Sequence, residues 1–328
     1  MRQIFEKNFK KILITGGCGF IGSALVKKLL NYNVKILVID NLETGNIKFL
    51  PKSKKIKFIR ADISTKGNWI IKVREFSPDL VYHLAAVHFI PYCNSHWDKT
   101  ILVNLLATNY ILEAVGNSIK GFVFASSAAV YSISETPHLE SETLSPIDIY
   151  GLSKKWAEEL LNLWVSQTGV PCKIVRLFNV YGYNETNPHL IPEIIYQKKN
   201  GDIILVGNLE PKRDYIFIDD VINALMIITK TINSRNKVFD IYNVGTGVSY
   251  SVQEVIETLS NIINEKIKFI SVSTKKRKLD RLNLLANIDK LKRLGWKPTY
   301  DLYKGLKKYW NDPGNLEWFK INKDKLLK

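Results

Sequence analysis

The stretch KILITGGCGFIGSALVKKLL (Lys11–Leu30) decides the fold. It opens on an apolar run, passes through a dense group of glycines, and ends with apolar residues at helical spacing. It reads as strand, tight turn and helix. Gly17, Gly19 and Gly22 satisfy G-x-G-x-x-G, while Gly16, Gly19 and Gly22 satisfy the G-x-x-G-x-x-G variant. Glycines let a backbone turn sharply and approach a pyrophosphate, and the start of a helix offers free N–H groups to the anion. The next apolar run ends in Asp40, eighteen residues after Gly22. A carboxylate there accepts both ribose hydroxyls of an adenosine and repels a 2′-phosphate. Asn41 and Leu42 follow it, with no arginine, which favours NAD over NADP. A glycine turn built for packing alone would not require that acid, so the stretch reads as a dinucleotide site.

Outward from this unit the pattern repeats. KILIT, VKILVID, KIKFI, LVYHLAA, GFVFAS and CKIVRLFNV are strand-like runs, separated by helical stretches such as TILVNLLATNYILEAV. Continuously apolar strands alternating with helices imply a parallel sheet covered on both faces. The expected fold is therefore α/β, a doubly wound parallel sheet. After Val180 the pattern changes to the turn-rich YGYNETNPHLIP and then to helices with polar loops. The parse is a dinucleotide-binding domain over 1–180, with 215–245 returning to it, and a smaller α/β substrate domain over 181–328. No repeat or low-complexity block interrupts it.

Composition narrows the class. A chain of 328 residues with 46% hydrophobic and 24% charged residues is globular rather than disordered. Its net charge of +16 would suit an anionic partner or a phosphate-bearing substrate. The lysines are scattered, however, and no basic tract interleaved with aromatics points to nucleic acid. Three cysteines, Cys18, Cys93 and Cys172, suit a reducing cytosol. MRQIFEKNFK lacks the apolar core of a signal peptide, and VINALMIIT is too short to span a bilayer. A cytoplasmic protein with no membrane association is expected.

SPIDIYGLSKKWAEEL (Ser145–Leu160) raises the question of chemistry. Pro146 punctuates, and from Tyr150 onward Lys, Ala, Glu and Leu favour helix. Tyr150 and Lys154 are four apart, so phenol and ammonium share a helix face. A nearby cation stabilises phenolate, which would let such a tyrosine act as a base nearer neutrality. The same spacing also arises by chance in exposed helices, so the pair alone does not establish a reaction.

With the glycine turn, Asp40 and Tyr-x-x-x-Lys on one chain, the sequence resembles the extended short-chain dehydrogenase/reductase family. Within it the chain resembles the NAD-dependent nucleotide-sugar epimerase/dehydratase branch, in a pattern like that of UDP-glucose 4-epimerases. The resemblance is carried, in the family's order, by ADI (61–63), HLAA (83–86), VNLLATNYILEA (103–114), SSAAVY (126–131) and YGLSK (150–154). It continues through RLFNVYG (176–182), RDYIFIDDV (213–221), YNVGTG (242–247) and LGWKP (294–298).

The resemblance implies a Rossmann cofactor domain and a set of site residues. Gly16, Gly19, Phe20, Ile21 and Gly22 would form the phosphate turn, and Asp40 with Asn41 the ribose end. Asp62 and Ile63 would flank the adenine, and Leu84, Ala85, Ala86, Asn104 and Phe178 would line the cofactor. Lys154 would hold the nicotinamide ribose and polarise Tyr150, and Ser127 would hydrogen-bond the reacting sugar oxygen. Asn179, Arg213 and Arg277 would bind the diphosphate of a nucleotide-sugar substrate, for which an arginine's planar fork is suited. Helices near 99–116 and 150–168 would pair two copies into a homodimer. Leu102, Leu106, Leu160 and Trp164 are compatible with that pairing and equally with a core.

Three departures from the family pattern stand out. Ser132 replaces the usual glycine after Val-Tyr, and KRKLD keeps Arg277 and Asp280 around Lys278-Leu279. AAVHFIPYCNSHWDK (85–99) carries His88 and His96 near the expected substrate mouth, so a sugar other than glucose or galactose is open. His88 is a candidate substrate contact or an ordinary loop histidine. His83, His88, Cys93 and His96 lack the paired spacing of a zinc site, and no metal is expected.

The segment after Ser127 selects among reactions. Dehydratases of the branch place an Asp-Glu pair there and decarboxylases a glutamate, whereas this chain has Ala128 and Ala129, which move no protons. Epimerisation at C4 through a transient 4-keto sugar is the expected reaction. A nucleotide-sugar reductase or dehydrogenase is the alternative, and a non-catalytic NAD-binding regulator a more distant one.

Overall fold

The computed structural model describes residues 2–233, 238–275, 281–314 and 316–327. The apolar runs become strands β1 (Lys11–Thr15), β2 (Lys35–Asp40), β3 (Ile56–Arg60), β4 (Leu80–His83), β5 (Gly121–Ser127) and β6 (Cys172–Leu177). Seven further strands follow: β7 (Asn179–Tyr181), β8 (Ile203–Val206), β9 (Lys212–Phe217), β10 (Phe239–Val244), β11 (Ser249–Ser251), β12 (Lys268–Ser271) and β13 (Asn283–Leu284). The first helices are α1 (Arg2–Asn8), α2 (Phe20–Leu29), α3 (Trp69–Phe76), α4 (Ile90–Ser95), α5 (Trp97–Ile101), α6 (Ala107–Val115) and α7 (Ile149–Thr168). The remaining ones are α8 (Leu190–Asn200), α9 (Ile218–Lys230), α10 (Val252–Ile263), α11 (Asp289–Lys292), α12 (Leu302–Asn311) and α13 (Leu316–Leu326). Among the described residues no helix is long and apolar enough to cross a membrane.

The chain divides into two units. The first comprises 1–130, 144–176 and 225–242, and the second 131–143, 177–224 and 243–328. A seven-stranded parallel sheet has the order β10-β6-β5-β4-β1-β2-β3. Chain order reverses between β1 and β4, both parallel neighbours in register Thr15 to His83, so a crevice opens beyond their carboxyl ends. Leu13, Leu37, Val81, Phe122 and Ile174 on the strands pack with Trp69, Val73, Ile111, Leu112, Ala157 and Leu161 of α3, α6 and α7. Fully burying each of the leucine, isoleucine, valine and phenylalanine side chains among them is worth roughly 1.5–3 kcal/mol.

Local signals set the ends of the elements that matter most. Asp148 caps α7 by accepting from the Gly151 N–H at 2.7 Å, and Gly169, in the left-handed region, ends the helix. Ser251 and Glu254 form a reciprocal capping box on α10. Two elements differ from the sequence reading. The helix expected near 99–116 is broken into α5, a π-helical turn over Leu102–Leu106, and α6. The run CKIVRLFNV is not one strand: Phe178 interrupts it, and β7 pairs with β9 of the second unit.

The second unit holds a four-stranded sheet, in which β9 is flanked by β11 and β13 and also pairs β7, and a two-stranded parallel sheet of β8 and β12. Leu160 and Trp164 of α7 pack against the first unit's core, Trp164 edge-on to Phe122, whereas Leu102 and Leu106 stay exposed. The four positions left open by the sequence thus split into two pairs.

Candidate active site

The glycine turn joins β1 to α2. A Cβ on Gly22 would strike the Gly16 carbonyl, and one on Gly17 would lie 2.6 Å from Val38 Cγ1, so packing alone explains those two residues. Gly19 is different. Its Cβ would meet only the Gly16 oxygen at 3.3 Å, leaving open space in front of the turn. Gly19 also stands at the start of α2 without a side-chain cap, and the first N–H groups of a helix have no partner within it. A bare backbone at a helix start is what a pyrophosphate requires, and the residues present fit a dinucleotide.

Asp40 ends β2, buried, with one oxygen accepting from Cys18 N at 2.9 Å and the other from Leu42 N at 2.8 Å. Burial pushes its pKa up, and the two N–H donors oppose this. Each carboxylate oxygen keeps a lone pair for a ribose hydroxyl. Leu42 pays for this turn with φ 63°, the left-handed region that a leucine rarely enters. Asn41 accepts from Glu43 N at 2.9 Å. After β3, Ile63 is buried and Asp62 accepts from Ser64 N (2.9 Å) and Ser64 Oγ (2.6 Å). Burial would raise the Asp62 pKa, but Ser64 and the Lys99 ammonium outweigh it and hold the carboxyl below its usual range.

A chain of hydrogen bonds links the loop after β4 to the Tyr150 backbone. Ala85 N donates to Thr15 Oγ1 at 3.3 Å, Thr15 Oγ1 lies 2.6 Å from His83 Nδ1, and His83 Nε2 lies 3.1 Å from Thr108 Oγ1. Thr108 donates its own proton to the Asn104 carbonyl at 3.0 Å, so it accepts from His83, and Thr15 donates to His83 Nδ1. The buried imidazole is therefore neutral in one tautomer, its pKa driven down to about 3 by burial and by the Lys154 charge. Leu84 continues the same loop by donating to the Thr15 carbonyl.

Asn104 sits in the π turn with its side chain spent within the protein. It accepts from Val87 N (2.9 Å) and donates to Val87 O (2.9 Å) and Ser153 Oγ (3.0 Å). Ser153 donates in turn to the Tyr150 carbonyl at 2.7 Å. Asn104 thus fixes the loop around Ala86 and the first turn of α7, and both of its N–H groups are already used.

Ser127 ends β5, and Tyr150 and Lys154 lie in the first turns of α7. Gly151 has no room for a Cβ against the Ala129 backbone, so the helix start lies directly on the Ser127–Ala129 segment. At the end of β5 the Ser127 Oγ accepts from Ala129 N at 3.1 Å, and Ser127 is the group that lowers the Tyr150 pKa against burial. Lys154 is fully buried; its Nζ donates to the Ala125 carbonyl at 2.8 Å and stands 4.7 Å from the Phe124 ring centre. Burial pulls its pKa down to about 7, with Cys93 and Glu158 opposing.

Among the causes that set the Tyr150 pKa in the protein alone, Lys154 does not figure. Burial drives the Tyr150 pKa well above its ordinary value, and Ser127 is the group that opposes the rise. The ammonium is committed to a carbonyl and is itself driven towards neutrality. One turn deeper, Glu158 accepts from Ser126 Oγ (2.5 Å) and pairs with Arg176 through Nε (3.1 Å) and Nη2 (2.7 Å), all buried. This triad ties β5 and β6 to α7.

The remaining expected residues are placed as follows. His88 is half-buried in the loop after β4. Cys93 is buried with its thiol towards Val87 O, and the exposed His96 stacks on Tyr92. Phe178, Asn179 and Arg213 belong to the second unit. Phe178 donates its N–H to Val244 O, Asn179 opens β7, and Arg213 Nη1 donates to the carbonyls of Lys212 (2.8 Å) and Arg281 (2.7 Å). Beside it Asp214, with a pKa raised to about 6 by burial, accepts from Thr246 and Gly247 and so fastens YNVGTG to RDY. Arg277 lies outside the described residues.

The sequence profile described as "NAD dependent epimerase/dehydratase family" matches residues 12–245. The chain belongs to this family. A protein of Methanocaldococcus jannaschii is 33% identical over 320 residues, covering 95% of this chain and 99% of its own length. The UDP-glucose 4-epimerase of Lactobacillus helveticus is 30% identical over 311 residues, covering 89% and 93%. Among solved structures, the Thermus thermophilus UDP-glucose 4-epimerase in complex with NAD superposes with a TM-score of 0.81 at 27% identity, covering 94% of this chain and 99% of that one. NAD is the cofactor of the family, and Gly19, the start of α2 and Asp40 are the groups in this member that would hold its pyrophosphate and adenosine ribose.

Residues that sequence reasoning did not single out are Thr15, Thr108, Ser153, Glu158 and Arg176. Ser153 stood inside YGLSK and His83 inside HLAA, but nothing in those strings says that they are joined through Asn104.

Proposed function

We propose that this epimerase-family member is an NAD-dependent nucleotide-sugar epimerase that inverts C4 through a transient 4-keto sugar. The carrying observation is the set Ser127, Tyr150 and Lys154 at the β5–α7 junction, followed by methyl groups at Ala128 and Ala129. NAD supplies the acceptance and return of hydride, and its nicotinamide carries a positive charge into the site. Tyr150 removes the proton of the C4 hydroxyl, directly or by way of Ser127, and returns it when the ketone is reduced. Ser127 donates to the developing phenolate and opposes the rise that burial imposes. Lys154, anchored on Ala125, is placed one helical turn away as a second stabiliser of that charge.

Elimination of water would need a further acid and base, and alanines at 128 and 129 provide neither. Asn179 and Arg213 are proposed to bind the diphosphate of the nucleotide sugar. Leu102 and Leu106, exposed at the α5–α6 break, together with Leu163 of α7, are proposed to meet a second copy in a homodimer.

The test is to incubate the purified protein with UDP-, GDP-, CDP- and dTDP-sugars and follow anomeric and H4 signals by NMR. Interconversion of a C4 pair with no net formation of NADH is the expected result. Net oxidation, or a deoxy-keto product, refutes the proposal.

A further inference from the structure

Lys99 occupies an unusual crossing. It belongs to α5, which follows β4, yet its Nζ lies 3.5 Å from Glu43 Oε2 in the loop after β2 and 3.5 Å from Asp62 Oδ2 in the loop after β3. In the sheet, β4 and β2 are on opposite sides of β1, and β3 lies beyond β2. Lys99 thus joins the connection after β4 to two loops that follow strands on the other side of β1, around the end of the sheet where the glycine turn begins.

Both acceptors are held ready. Glu43 Oε2 also accepts from Asn41 Nδ2 at 3.3 Å, and the other oxygen of Asp62 is taken by Ser64. The three side chains are 28%, 33% and 36% exposed, neither free in solvent nor sealed. An ammonium between two fixed carboxylates, each on a different loop, is more than an incidental surface pair.

We propose that Lys99 is a strap that retains the adenosine half of NAD. The dinucleotide lies along the glycine turn and Asp40, beneath the ammonium, and leaves only when at least one of the two ion pairs opens. This inference rests on the NAD site described above. It assigns Lys99 to holding the cofactor and gives it no part in proton or hydride movement.

The experiment uses the full chain loaded with NAD. Release is followed by rapid filtration and chromatography of the freed nucleotide at low and high salt. Lys99→Met, which keeps an unbranched chain one atom shorter and removes the charge, should speed release about tenfold, the size expected for two partly exposed pairs. It should also flatten the acceleration that salt causes in the parent protein, because screening weakens the pairs that the variant lacks. Lys99→Arg should restore slow release. Lys292→Met, which removes the exposed pair with Asp289 at 3.4 Å, should leave release unchanged.

Glu43→Gln provides a second route if Lys99→Met folds poorly. It should speed release a few-fold, and in the double variant it should add nothing to the effect of Lys99→Met. NAD bound and released equally slowly by parent and Lys99→Met, or an additive double variant, overturns the strap while leaving the cofactor site standing. A parent protein that binds no NAD overturns the cofactor site itself.

Discussion

Replacing Lys154 by methionine in the NAD-free protein makes a quantitative test of the site's electrostatics. The ammonium is buried, has Ala125 O as its acceptor at 2.8 Å, and titrates at about 7 instead of its ordinary 10.5. Between those two values the unfolded chain carries a proton that the folded chain has shed. Stability therefore rises with pH through that window, at up to about 1.4 kcal/mol per pH unit. Integrated from pH 7 to pH 9, the lysine contributes a gain of about 2 kcal/mol. Below the folded-state pKa the penalty of the buried charge is fully present. The Lys154→Met protein lacks this group, so the difference in unfolding free energy between parent and variant should shift by about 2 kcal/mol in the parent's favour over that interval. Urea unfolding at pH 7, 8 and 9, followed by tryptophan fluorescence, measures it. A difference that stays flat with pH would mean that Lys154 is solvated well enough to keep its charge, and the account of a desolvated ammonium behind Tyr150 would fail.

Three further outcomes follow from the same geometry. Tyr150→Phe should lower sugar interconversion by about 10²–10⁴-fold while bound NAD persists, as judged by NMR turnover and by nucleotide extraction. Asp40→Ala should weaken NAD by about 10–100-fold and remove the discrimination against NADP, which calorimetric titration with both nucleotides would reveal. Glu158→Ala strands the Arg176 guanidinium in the interior and should lower stability by about 3–5 kcal/mol in urea unfolding, whereas an exposed pair such as Lys292–Asp289 should change it by less than about 1 kcal/mol.

Much of the first unit could be read from the sequence because its signals are local. The glycine turn, Asp40 and the Tyr150 helix are contiguous strings whose spacing carries its own geometry. The strands of the large sheet were legible for the same reason, being short apolar runs bounded by turns. What escaped notice is long-range. His83 meets Thr15 sixty-eight positions away, and Asn104 meets Ser153 forty-nine positions away. No periodicity encodes such partners. The membership of 131–143 in the second unit is equally silent, because its backbone pairing with 285–287 through His138 joins distant segments. The burial of Tyr150 is silent as well, because helical spacing reports the neighbour at i+4 but says nothing of how deeply the phenol is enclosed. Phe178 looked like strand interior because an apolar residue inside an apolar run gives no sign that the chain there is passing from one sheet to another.

The π turn at Leu102–Leu106 makes this helix intolerant of a change in length. Each residue added to or removed from a helix swings everything beyond it by about 100°. Losing one position would let the segment relax into a regular spiral, yet it would carry the Asn104 amide away from Val87 and Ser153, or else displace Thr108 from His83. Point substitutions on the outer side of this stretch should therefore accumulate freely in related chains, while insertions and deletions between Trp97 and Val115 should be purged.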